Sequence, residues 1–160
     1  MRKIKSLVTK LSLNDCEILQ KAVAFKLQWL DNPKAERWLS SFDKENKEEV
    51  KATLAETESY LSKKIEDTKR KKIKVEFDLA NFKTGVLDGL QTYYEEEVLP
   101  NWRTNKTKTE PIVVYHKVKK LKKDLYSKIT EIEKHNDYLD HCDYVEEWII
   151  KDGKVVNNDN

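Results

Sequence analysis

A chain of 160 residues with 38% hydrophobic and 38% charged residues is long enough for one core, and it is rich in solvated surface. Its 31 Lys and Arg nearly balance 29 Asp and Glu, for a net charge of +2, so the chain as a whole is not a polycation. With three Gly and three Pro it is too poor in glycine for hairpin-rich sheets, Rossmann units or phosphate loops, and no GxGxxG, GxxxxGK[ST], HExxH or GxSxG occurs.

Residues 1–11 carry Arg2, Lys3, Lys5 and Lys10 around Ile4, Leu7 and Val8 and read as a short, basic, extended lead. No apolar signal-peptide core accompanies these charges, and no apolar run approaches the roughly 18 residues of a membrane span. Ser12-Leu13-Asn14-Asp15 matches a capping box, with Leu11 and Cys16 placed as a hydrophobic staple. A helix follows from about Leu13 to Leu30. It is apolar on most of its circumference and so reads as central, with Leu19, Val23, Phe25, Leu27 and Trp29 in the core. Asp31-Asn32-Pro33 stops it and starts another, whose apolar face is Ala35, Trp38, Leu39 and Phe42. Asn46 with Glu49 caps a further helix to about Arg70 on Val50, Leu54, Leu61 and Ile65.

Ile73, Val75, Phe77 and Leu79 alternate with charged residues, which is strand periodicity, and continued helix is the competing reading. Helical spacing returns on Phe82, Val86, Leu90, Tyr93 and Val98. Gly85 and Gly89, four apart, permit close approach of another backbone. The stretch from Pro100 to Pro111 has no apolar period and reads as an exposed loop. A long helix then runs to about Trp148 on Val114, Val118, Leu121, Leu125, Ile129, Ile132 and Leu139, with 112–118 open as a strand instead. Asp152-Gly153 between β-rich arms predicts a hairpin over 149–156, and 157–160 is a polar tail. The fold class is therefore mainly α, a single domain over 1–160: a bundle of about five helices, two of them long and antiparallel, with a small β element.

Chemistry is scarce. His135, Asp137, Asp140, His141, Cys142 and Asp143 are all metal-ligand types, yet helical spacing spreads them around one helix, so no metal site is expected. Cys16 and Cys142 stand far apart, which fits a reducing, cytoplasmic setting rather than a disulfide framework. Neither has a motif for catalysis, and no catalytic residue or cofactor is expected. What remains is charge order. The last long helix begins basic, with Lys117, Lys119, Lys120, Lys122 and Lys123, and ends acidic, against the preference of the helix dipole. Antiparallel packing against Glu95, Glu96 and Glu97 would offset the inversion in cis. A charged partner would offset it in trans. The candidate partner-binding residues are Trp102, Arg103, Lys106, Lys108, Lys119, Lys120, Lys122 and Lys123. The expectation is a non-catalytic binding protein, a small helical adaptor or inhibitor of a protein with an acidic surface, in keeping with a phage or mobile-element accessory protein. The alternative is a sequence-nonspecific nucleic-acid-associated protein using lysine patches. A membrane partner is not expected, and a homodimer is left open.

Overall fold

The computed structural model describes residues 3–66 and 72–150, without the side chains of Trp38 and of residues 142–150. Strand β1 (Ser6–Ser12) leads into helix α1 (Leu13–Trp29), and the Ser12 hydroxyl caps α1 by accepting from the Asp15 N–H at 3.1 Å. After Asn32, which caps a 3-10 turn over Pro33–Trp38, come the short α2 (Ser41–Glu45) and α3 (Lys47–Glu66). Strand β2 (Lys72–Asp78) follows. An unbroken helical path, α4, then spans 79–104, and α5 runs from Thr109 to Ile150.

The strand alternation is real as far as Asp78, Leu79 instead opens α4, and β2 finds its partner at the N-terminus. β1 pairs antiparallel with β2, from Ser6 opposite Asp78 to Ser12 opposite Lys72. The basic lead is thus a strand whose Leu7, Thr9 and Leu11 face the core, opposite Phe77, Val75 and Ile73. Residues 112–118 are helix.

Some expectations fail. The hairpin over 149–156 is not formed as expected, because Ile149 and Ile150 belong to α5 and the sheet lies at residues 6–12 and 72–78. No Gly or Pro separates Pro111 from Gly153, so nothing in that run stops the helix. Residues 151–156 and the tail at 157–160 lie outside the described residues, as does the end of the helix expected to reach Arg70. The loop expected from Pro100 to Pro111 is also mostly helix, and only 105–108 connect α4 to α5. Pro100 is tolerated because α4 widens just before it. Residues 94–98 form a π turn in which the Leu99 N–H reaches back to the Tyr94 carbonyl. A widened turn displaces the carbonyl that a proline ring would otherwise strike.

Helix α1 lies between α3 and α4, with the sheet near its start and α5 across α4. Its buried side is Cys16, Leu19, Ala22, Val23, Lys26 and Leu30. Phe25, Leu27 and Trp29, expected in the core, are only half-buried. Phe25 lies between Trp29 and Tyr93, with ring centroids at 6.0 and 5.7 Å. Phe42 is 46% exposed, so the expected apolar face of that segment rests on Ala35 and Leu39. Of the two helical glycines expected to admit another backbone, Gly89 does so, with the Ala22 carbonyl oxygen 3.6 Å from its would-be Cβ, while Gly85 faces the side chains of Leu54 and Thr53. A Cβ on Gly89 would stand 3.4 Å from the Cβ of Lys26, and one on Gly85 would stand 3.5 Å from Leu54 Cδ2. Among the described residues no helix is long and apolar enough to cross a membrane.

Candidate partner-binding site

The antiparallel return of α5 along α4 decides what the basic run can do. Apolar positions Tyr115, Val118, Leu121, Leu125 and Ile129 are buried against the bundle. Residues three and four apart share a helix face, so Lys119, Lys122, Lys123 and Tyr126 lie together beside that seam. On α4 the same rule groups Lys83, Leu87, Asp88 and Gln91. These two rows line one open groove of about 540 Å³, with Ser127 at its edge. Tyr126 is 66% exposed there and Leu87 is half-buried.

The lysines are not equivalent. Lys83 is paired with Glu133. The Lys122 ammonium sits 4.0 Å from the centroid of Tyr94. Burial lowers its pKa from the ordinary lysine value, Glu95 opposes that shift and Lys119 adds to it. Lys119 lies 5.6 Å from the Tyr115 centroid and contacts its hydroxyl at 3.5 Å. Among the described residues no ion pair joins Lys119 or Lys123 to a carboxylate, and both are exposed.

Above this groove stands an aromatic stack. Trp102 lies on Tyr115 at 4.3 Å and 10°, and the Tyr94 ring lies 5.9 Å from that of Tyr115 at 29°. The Tyr94 hydroxyl, then Lys119 and Arg103, pull the Tyr115 pKa below the usual tyrosine value against the effect of burial. Burial and the Tyr115 hydroxyl push Tyr94 the other way, with Arg103 opposing. Trp102 therefore closes the α4–α5 corner instead of standing free in a loop.

Of the candidate residues, the fold brings Lys119, Lys122 and Lys123 into the groove. Arg103 is exposed beside the aromatic stack. Lys106 is exposed in the 105–108 turn, and Lys108 lines a different hollow of about 760 Å³ with Glu97 and Glu110. Lys120 is exposed and lines neither hollow. Sequence reasoning missed Lys83, Leu87, Gln91 and Tyr126. Their spacing on α4 and α5 was visible, and only the tight turn between the helices was needed to face them together. It also missed Lys26, which is 1% exposed on the central helix. Its ammonium pairs with Asp88 at the groove floor and with Asp43 at 3.4 Å, and donates to the Thr84 carbonyl at 3.0 Å.

No three His, Cys, Asp or Glu side chains among the described residues converge as metal ligands would. The groove brings together charged side chains, Leu87 and an exposed tyrosine. No family model, curated protein or solved structure matches the chain, so the reading of this groove rests on its own residues.

Proposed function

We propose that the chain is a non-catalytic binding protein, a small helical adaptor or inhibitor, and that an acidic protein surface docks along the α4–α5 groove. The observation that carries this reading is the pairing of unmatched cations with an exposed aromatic. Lys119 and Lys123 have no carboxylate partner among the described residues, and they line the same groove as Tyr126, which is 66% exposed. Tyr is enriched at interface hot spots, and unpaired rim lysines steer an acidic partner.

A nucleic-acid partner fits less well. Nonspecific binding to phosphates draws on a continuous positive track. Here Asp88 lies in the groove floor, Glu133 occupies Lys83, and Glu95 stands near Lys122. Tyr115 is buried, and Trp102 has one face stacked on it, which leaves less aromatic surface for bases.

The test uses Lys119→Glu with Lys123→Glu, two exposed positions that leave the Lys122–Tyr94 contact alone. Affinity capture from the native host, with and without nuclease, identifies what the parent retains. The expected result is an acidic protein that survives nuclease, and a loss of affinity of roughly tenfold or more at low salt for the double variant. Capture that vanishes with nuclease, or a variant that binds as well as the parent, defeats the proposal.

A further inference from the structure

Among the described residues, the two-stranded sheet leaves one strand edge open. The Leu79 N–H donates to the Lys5 carbonyl at 2.9 Å, which makes that pair a hydrogen-bonded one. The register then alternates. Leu7, Thr9 and Leu11 aim their main-chain groups at β2, while Ser6, Val8, Lys10 and Ser12 aim theirs outward. Two further contacts obey the same parity. On β2 the Glu76 N–H points outward and donates to the Tyr60 hydroxyl at 3.0 Å, so α3 covers part of that edge. Before β1, both main-chain groups of Ile4 are taken by the side chain of Asn136, at 2.8 and 2.9 Å. The Asn136 carboxamide stands where the peptide of a third strand would stand.

The open run of β1 is bounded on both sides. Ile4 is closed by Asn136, and Ser12 is already the cap of α1. Between them lie Ser6, Val8 and Lys10, whose outward main-chain groups have no partner among the described residues. Val8 marks the centre of this run, and it is 48% exposed on the outer face of the sheet.

We propose that this edge pairs with the same edge of a second copy, antiparallel, with Val8 opposite Val8. That register sets Ser6 against Lys10 of the second copy, and each pair exchanges both main-chain bonds. It stops where Ile4 and Ser12 stop it. The charges agree with a two-fold axis at Val8. On each copy Lys10 sits opposite Lys74, a like-charged pair, while Ser6 sits opposite Asp78. The axis places the row of Lys74 and Lys10 in line with Ser6 and Asp78 of the second copy. The isolated strand pair thereby becomes the centre of a four-stranded sheet, and the exposed Val8 side chains meet. An unprotected edge of this kind otherwise invites uncontrolled pairing. None of these edge residues lines the α4–α5 groove, so the inference stands or falls apart from the proposed partner.

Sedimentation equilibrium over a dilution series reads the mass directly. The expected mass rises from the 19.0 kDa of one chain toward twice that value. Val8→Pro removes an N–H that β2 does not use, and proline is accepted on an edge strand. This variant should sediment as a monomer with an unchanged circular dichroism spectrum. Independently, copper-phenanthroline oxidation of Val8→Cys in a Cys142→Ser background should give a covalent dimer, because opposed Cα atoms in such a pair lie about 5.5 Å apart. Lys10→Cys in the same background should not. A parent that stays monomeric at its highest soluble concentration overturns the inference. So does a Val8→Pro protein that dimerises like the parent, or a Lys10→Cys protein that crosslinks as readily as Val8→Cys. If Val8→Pro does not fold, the two cysteine variants decide.

Discussion

Replacing Lys26 with Met tests how the central helix is held. Met keeps the stem that packs against Gly89 and removes only the ammonium. Two acceptors then lose a donor, Asp88 and the Thr84 carbonyl, and Asp43 loses its ion-pair partner. Asp88 has a side chain 47% exposed and rehydrates, so its loss is that of a surface pair, about 0–1 kcal/mol. The Thr84 carbonyl loses one contact. Asp43 cannot rehydrate, since the residue is 4% exposed, and a carboxylate left buried without its cation costs about 3–5 kcal/mol. The Asp43 term therefore dominates. Lys26→Met should lower the melting temperature by roughly 6–20 °C, taking about 2–4 °C per kcal/mol for a chain of this size. Asp88→Asn should cost about 1 kcal/mol or less. Adding Asp43→Leu to Lys26→Met should recover most of the loss, because an apolar pair of similar volume is often neutral in place of a buried ion pair. Denaturant titration of the parent, both single variants and the double gives the coupling between positions 26 and 43, expected near 2 kcal/mol or more. Additive single effects would refute the argument, because they would mean that the two charges do not see each other.

Other expected outcomes follow from single side chains. Thr9 is 5% exposed, and its hydroxyl has no hydrogen-bond partner, so Thr9→Val should raise stability by about 1–2 kcal/mol in denaturant melts. A Cβ at Gly85 meets Leu54 Cδ2 at an ordinary 3.5 Å, so Gly85→Ala should stabilise by about 0.5–1 kcal/mol, whereas Gly85→Leu should overfill the α3–α4 contact and lower the melting temperature. Burial first, then Asp15 and Glu17, push the Cys16 thiol up to about 11 from an ordinary 9.0. In a Cys142→Ser background it should resist Ellman's reagent at pH 8 until denaturant is added. Its raised pKa favours the neutral thiol in the folded state. The associated stability is present below pH 9 and is lost as pH rises from about 9 toward 11, which a pH series of denaturant melts comparing Cys16→Ala with its parent detects.

What the sequence made legible was periodic. The helix from Leu13 and its Ser12 cap, the helix on Val50, Leu54 and Leu61, and the alternation at 73–78 all carry their geometry in local spacing. What it hid was non-local. A strand of seven residues among lysines reads as a basic lead until a partner strand is known, and that partner lies sixty or more residues away in register. The loop reading of 100–111 failed because proline and polar composition outweighed a π turn that no composition rule predicts. Asp-Gly at 152–153 is a turn signal without the Gly or Pro upstream that would end α5 before Ile149. Lys26 escaped notice because a lysine is expected to reach for water. Only Asp43 and Asp88, from two other helices, make its burial tolerable.

The inverted charge order of α5 has an answer at both ends within the chain. The acidic half meets cations from elsewhere, with Glu133 taken by Lys83 of α4 and Asp140 by Lys3 before β1. The basic half returns along Glu95, Glu96 and Glu97, but the answer there is incomplete. Those carboxylates form no ion pair with the lysines among the described residues. Lys122 rests on the Tyr94 ring instead, close enough to Glu95 to feel its charge. A cation over an aromatic face keeps its positive field, while one in an ion pair does not. The two ends of α5 are thus unlike. In the acidic half, Glu133 and Asp140 are tied by direct pairs to α4 and to the chain start. In the basic half Lys119 and Lys123 have no carboxylate partner among the described residues, and Lys119 over the Tyr115 ring keeps its positive field, beside the exposed Tyr126.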